Sequence, residues 1–227
     1  MTPPNRTVFL FDVDNTLVNN DHIAADLKSH LEHAVGAQRG QRYWDIFEQL
    51  RSELGYADYL GALQRYRVEH PHEPHLLQVA SYLVNYPFAN RLFPGALDAV
   101  AHAATMGQTV ILSDGDVVFQ PLKVDRSGLS EAFDGRVLIY IHKEQELADV
   151  EKRYPADHYV LIDDKVRILT AVKERWRERV TTVFPRQGHY ALAPDVRNYP
   201  APDVTIERID LLIAANLQTL HAAASRK

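Results

Sequence analysis

Two aspartates one residue apart, Asp12 and Asp14, open the run Asp12-Val13-Asp14-Asn15-Thr16, which follows directly on the apolar stretch VFLF at 8–11. Alternate residues of an extended segment share a side, so both carboxylates can face one substrate. A D-x-[DN] run also suits a capping turn, but a hydrophobic stretch running straight into two acids favours a site. Three further stretches end the same way. Ser113 follows VIL at 110–112, and its hydroxyl can hydrogen-bond an anionic oxygen. Lys143 follows VLIYIH at 137–142 and offers a fixed positive charge. Asp163 and Asp164 follow YVLI at 159–162, and two adjacent carboxylates are costly to hold together without a hard cation such as Mg²⁺.

The elements that must position these groups are short β-branched or aliphatic runs: TVFLF (7–11), QTVIL (108–112), RVLIY (136–140), HYVLI (158–162), VTTVF (180–184) and a weaker DVTI (203–206). Helical patterns lie near 95–106, 117–126, 144–153, 165–178 and 207–222. Continuous apolar strands alternating with amphipathic helices predict a mostly parallel sheet covered on both faces. In such sheets ligands bind beyond the carboxyl ends of the strands, which is where all four chemical groups fall. One interval breaks the rhythm. From about Val18 to Arg91 there is no convincing strand, only helix-like stretches rich in Tyr, Arg and His, which predicts an inserted helical module.

An acidic D-x-D-x-T run, a Ser, a Lys and an acidic pair, each after a successive strand, resemble the four motifs of the haloacid-dehalogenase-like superfamily. The segment LFPGALDAVAHAATMG (92–107) resembles that family's helix leading into its second strand. The resemblance implies an α/β fold, a three-layer Rossmann-like parallel sheet core with an inserted α-helical cap. It places the core at 1–16 and 92–227 and the cap at 17–91. Two departures stand out: where many relatives carry a second Asp four residues after the metal-binding one this chain has Ile168, and Lys143 is followed by Glu144 rather than Pro, which leaves Lys165, just after the acidic pair, as a fallback for the third-motif lysine.

What the resemblance implies about chemistry is specific. Asp12 is the nucleophile that takes up a phosphoryl group and Asp14 the general acid and base. Ser113 and Lys143 bind the phosphoryl oxygens. Mg²⁺ is held by Asp12, the Asp14 backbone carbonyl and one or both of Asp163 and Asp164. Asp14 argues for phosphate chemistry, since dehalogenation in the superfamily does not use that second acid. A phosphonate hydrolase would need a cap lysine, and 17–91 contains only Lys28. The expected function is hydrolysis of a small phosphorylated metabolite. A phosphomutase with the same core and a non-enzymatic protein that binds a phosphorylated ligand are the alternatives. Tyr43, Trp44, Arg51, Tyr56, Tyr59, Arg65 and Arg67 are cap residues suited to stacking or anion contacts.

Composition sets the outer bounds. With 227 residues, 46% hydrophobic and 24% charged, the chain can bury a sizeable core. A net charge of −5 draws it to neither nucleic acid nor an anionic membrane. The absence of cysteine excludes disulfides and thiolate chemistry. No secretory signal or membrane-length apolar run is visible, so a cytoplasmic location is expected. The run His70-Pro71-His72-Glu73-Pro74-His75 lacks a helical zinc-ligand spacing and reads as a polar surface loop.

Overall fold

The computed structural model describes residues 6–225, so the ends of the expected core domain, 1–5 and 226–227, lie outside the described residues. Five residues of almost unbroken β-branched and aromatic character form the first strand, β1 (Thr7–Phe11), every one of them buried. Four helices follow without an intervening strand: α1 (Asn20–Val35), α2 (Ala37–Leu54), α3 (Tyr59–Glu69) and α4 (Leu76–Val84). The alternating region is then α5 (Ala96–Ala104), β2 (Gln108–Asp114), α6 (Phe119–Arg126), the single turn α7 (Leu129–Ala132), β3 (Val137–Tyr140) and α8 (Leu147–Arg153). It continues through β4 (His158–Ile162), α9 (Val166–Trp176), β5 (Val180–Pro185), α10 (Gly188–Leu192), β6 (Val204–Ile206) and α11 (Leu217–Ala224).

The six strands form one all-parallel sheet in the order β3-β2-β1-β4-β5-β6, so β1 and its Asp-rich end sit at the centre. The period of two along each strand sorts side chains into two cores. Phe9, Phe11, Ile111, Val160, Ile162 and Val183 face one side, packing with α5 and with the inserted helices. Val8, Leu10, Leu112, Leu138, Leu161 and Val180 face the other, against α8 and α9. The expected three-layer α/β architecture with a helical insertion is therefore the observed one. No helix among the described residues is long and apolar enough to cross a membrane.

The insertion leaves and rejoins the sheet layer through a narrow neck. Val18 pairs antiparallel with Leu92, Phe93 N–H donates to Leu17 O at 2.8 Å and Asn19 N–H to Arg91 O at 2.7 Å. The histidine-rich run closes this module. The Glu73 carboxylate, with 1% of its side chain exposed, lies 2.6 Å from Arg39 and 2.8 Å from His75 Nδ1, tying α2 to the segment before α4.

At the opposite, amino-terminal edge of β4, His158 is buried beside His221, with ring centroids 4.2 Å apart. Thr181 Oγ1 donates its proton to Leu220 O, so the 2.8 Å contact from His158 Nε2 makes that nitrogen the N–H donor of a neutral ring. Burial, then the neighbouring His221 and Lys173, depress the His158 pKa to about 4, against a weaker opposing pull from Asp203. A folded pKa below the unfolded one means stability present above the unfolded value and lost as pH falls toward 4. The His158 contribution to the melting temperature should therefore be lost from about pH 6.5 to pH 4, so over that range wild type should lose stability relative to His158→Gln. A difference between the two proteins that does not change with pH would show that His158 makes no such contribution.

Candidate active site

The loop after β1 is shaped to present its carboxylates. Asp12 N–H continues the ladder to Ile162 O at 2.9 Å, so the residue is still strand-like when it leaves the sheet. The chain then turns tightly through Asn15, at φ 60°, a left-handed conformation that asparagine tolerates better than most residues. Gly188 packs on that turn: a Cβ there would lie 2.4 Å from Asn15 Cβ, and its φ of +79° already favours glycine. Thr16 Oγ1 accepts from Asp164 N–H at 3.1 Å, joining the first and fourth loops.

Lys143 is the centre of charge. Fully buried, its Nζ lies 2.5 Å from Asp12 Oδ1 and 2.7 Å from Asp163 Oδ2, and it donates to Leu112 O at 3.2 Å. Its backbone N–H donates to Asp114 Oδ1 at 2.7 Å. Burial alone would lower the Lys143 pKa, but the charges of Asp12, Asp163 and Asp114 hold it well above the usual lysine range. Lys165 also titrates high, since Asp12 and Asp164 outweigh its burial, but its ammonium sits 4.9 Å over the Tyr190 ring rather than on a carboxylate. Of the two candidate lysines, the one on Asp12 is Lys143.

The acidic pair is the least satisfied part of the molecule. Burial first, and the negative charge of Asp12 second to Lys143's opposing pull, leave Asp163 with a pKa raised to about 6. Asp164 is pushed well above the carboxylate range by burial and by Asp12 and Asp163. Both of its carboxylate oxygens, and Oδ2 of Asp12, are buried with no hydrogen-bond partner among the described residues. Ligand atoms of Asp12, Asp163 and Asp164 lie within 4.8 Å of one another. With all four carboxylates ionised (Asp114 included), the two ammonium groups beside them would leave a local deficit of two positive charges. Oxygen donors, unpaired and crowded, fit a divalent hard cation.

Ser113, at the end of β2, is also buried; its Oγ accepts from Gln120 Nε2 at 2.9 Å and makes a longer donation to Asp114 O at 3.3 Å. Asp14 stands apart from this cluster, a quarter exposed and paired at 2.5 Å with the buried Lys123. It forms part of the floor of a cleft of about 850 Å³ between the sheet end and the inserted helices. Trp44, Arg51, Tyr56 and Tyr59 line that cleft. Tyr43 is buried between helices, and Arg65 and Arg67 point outward, so these three of the expected contact residues do not. Sequence reasoning passed over Lys123, Gln120 and Asp114. The one usable signal was a Lys and a Gln three residues apart in a helix whose neighbours Phe119 and Val124 are core residues.

The sequence profile of the haloacid dehalogenase-like hydrolases matches residues 7–174. No curated protein matches the chain. A haloacid dehalogenase-like hydrolase of Burkholderia xenovorans LB400 is 58% identical, covering 96% of this chain and 99% of that one, with a TM-score of 0.91. The L-2-haloacid dehalogenase of Xanthobacter autotrophicus with chloropropionic acid covalently bound is 19% identical, over 92% and 97% of the two chains, at a TM-score of 0.59. The HAD-hydrolase YfnB of Bacillus subtilis bound to magnesium is 16% identical, over 92% and 98%, at 0.60. The last two share the fold. With a profile matching most of its length and a near-complete relative, the chain belongs to the haloacid dehalogenase-like hydrolases.

Proposed function

We propose that this hydrolase cleaves phosphate monoesters of a small metabolite in a Mg²⁺-dependent reaction, with residues 17–91 as the cap over the cleft. The observation that carries the reading is Asp164, a buried carboxylate with both oxygens unpartnered beside Asp12 and Asp163. A dehalogenase needs an oriented nucleophile and no extra cation, and it has no task for Asp14. Here the crowded carboxylates call for a cation, which in turn suits an anionic substrate, and Asp14 suits a leaving group that needs a proton.

Asp12, Asp163, Asp164 and the Asp14 carbonyl would hold the cation, which when bound offsets repulsion between carboxylate and phosphate. Lys143 fixes Asp12 through Oδ1 and leaves Oδ2 as the attacking oxygen. That oxygen forms a bond to phosphorus as the ester oxygen leaves, taking a proton from Asp14. Asp14 then takes a proton from water, whose oxygen displaces Asp12 from phosphorus and releases inorganic phosphate. Ser113 and Lys143 steady the phosphoryl oxygens.

Exchange of Asp14 for Asn tests the division of labour. Asp14→Asn keeps the backbone carbonyl, so Mg²⁺ binding should persist while turnover of alkyl phosphates falls about 10²–10⁴-fold. A p-nitrophenyl ester needs no proton to leave, so it should still phosphorylate Asp12. The intermediate should then accumulate, and acid-quenched protein should be heavier by one phosphoryl group. Equal slowing of both substrates with no trapped species would remove Asp14 from this role.

A further inference from the structure

Helix α6 carries two polar side chains where its pattern demands apolar ones. Gln120 and Lys123 are 2% and 1% exposed, on the same helix as the core residues Phe119 and Val124. Three residues apart, they share a face. Gln120 reaches Ser113 and Lys123 reaches Asp14, so one helix face touches two of the motif loops.

An ammonium this deeply placed must have its donors met. Lys123 Nζ has two oxygen partners, Asp14 Oδ1 at 2.5 Å and Asn20 Oδ1 at 2.9 Å, and the Phe119 ring lies 5.4 Å away, within cation–π range. Asn20 is the first residue of α1, just beyond the neck, and therefore belongs to the inserted helices. The aromatic wall of the insertion continues the contact, since Tyr59 of α3 lies 4.8 Å from Phe119. The lysine is enclosed while a quarter of Asp14 remains open to the cleft, so the pair fixes the direction in which the carboxylate meets a substrate.

We propose that Lys123 is a positioning residue for Asp14, with Asn20 as the second anchor, so that the acid–base group is correctly aimed only when the inserted helices are seated. The inference rests on the role of Asp14 proposed above.

Full-length protein with Mg²⁺ should be assayed on an alkyl phosphate and on p-nitrophenyl phosphate, comparing Lys123→Met, Lys123→Gln and Asn20→Ala with Asp14→Asn. Misaiming a catalytic group by about an ångström costs roughly 10²-fold. Lys123→Met should lose about that factor in kcat on the alkyl ester. Its KM should change little, and phosphorylated protein should accumulate on the aryl ester. Lys123→Gln, which keeps an N–H donor, should recover part of the rate, and Asn20→Ala should shift the same ratio less. If Lys123→Met does not fold, the other two variants carry the test through the same ratio. If Asp14→Asn separates alkyl from aryl substrates and the folded Lys123 and Asn20 variants do not, the positioning role is overturned while the proposed reaction stands. If Asp14→Asn itself shows no separation, the reading of Asp14 has failed instead.

Discussion

Asp12→Asn should abolish turnover while the protein still folds. The substitution removes the attacking oxygen but keeps the volume and an acceptor for Lys143, which also retains Asp163 and Leu112 O. Asp12 lies past the end of β1, outside both hydrophobic clusters, so packing is unchanged. Loss of a nucleophile that acts together with its partners costs on the order of 10⁴–10⁶-fold. Phosphate release measured on matched, folded protein checks this. Turnover above a small fraction of wild type would mean that some other group attacks phosphorus. Acid-quenched Asp12→Asn should also carry no added phosphoryl group, in contrast to Asp14→Asn.

The fold was legible where burial on both faces forces continuous apolar runs. β1 and β4 are buried at every residue, and both were visible as uninterrupted hydrophobic stretches. Even the weak DVTI run is a strand, β6. The expected helix at 207–222 is instead two pieces, a 3₁₀ segment Ile209–Ala214 and α11, because Asn216 caps a new helix by accepting from Thr219 N–H. α10 was invisible, since five residues opening on a left-handed glycine show no helical period. The site divides similarly. Asp12, Ser113, Lys143, Asp163 and Asp164 announce themselves because a polar residue ending an apolar strand breaks a pattern. Lys123 leaves only a faint trace, its spacing from Gln120 beside Phe119 and Val124: a lysine in an amphipathic helix ordinarily reads as solvent-facing, and three-dimensional packing is what shows its face turned inward onto Asp14. Ile168, noted as a departure from relatives, proves to be core against β4, leaving Asp163 and Asp164 as the acids of that loop.

The metal can be tested without any substrate. A buried carboxylate with neither oxygen partnered destabilises the folded state, because ionising it there costs more than in the unfolded chain. At neutral pH the metal-free protein carries that cost. Asp164→Asn removes the charge, so its melting temperature without metal should be higher than wild type. Mg²⁺ that binds the folded state should raise the wild-type melting temperature, by the equivalent of about 2.7 kcal/mol when free metal is 100 times its dissociation constant. The variant should show little of this rise. Asp163→Ala should weaken the Mg²⁺ response less than Asp164→Ala, because the Asp163 oxygens already meet Lys143 and the Lys165 N–H. Activity should follow the same order. Chelation should abolish it, Mg²⁺ should restore it, and Ca²⁺ should substitute poorly, its looser coordination misplacing the nucleophile. If Mg²⁺ leaves the wild-type melting curve unmoved and chelated enzyme keeps its activity, the charge deficit is met some other way. A Lys143-oriented nucleophile working without metal, as a dehalogenase requires, would then be the better account of this site.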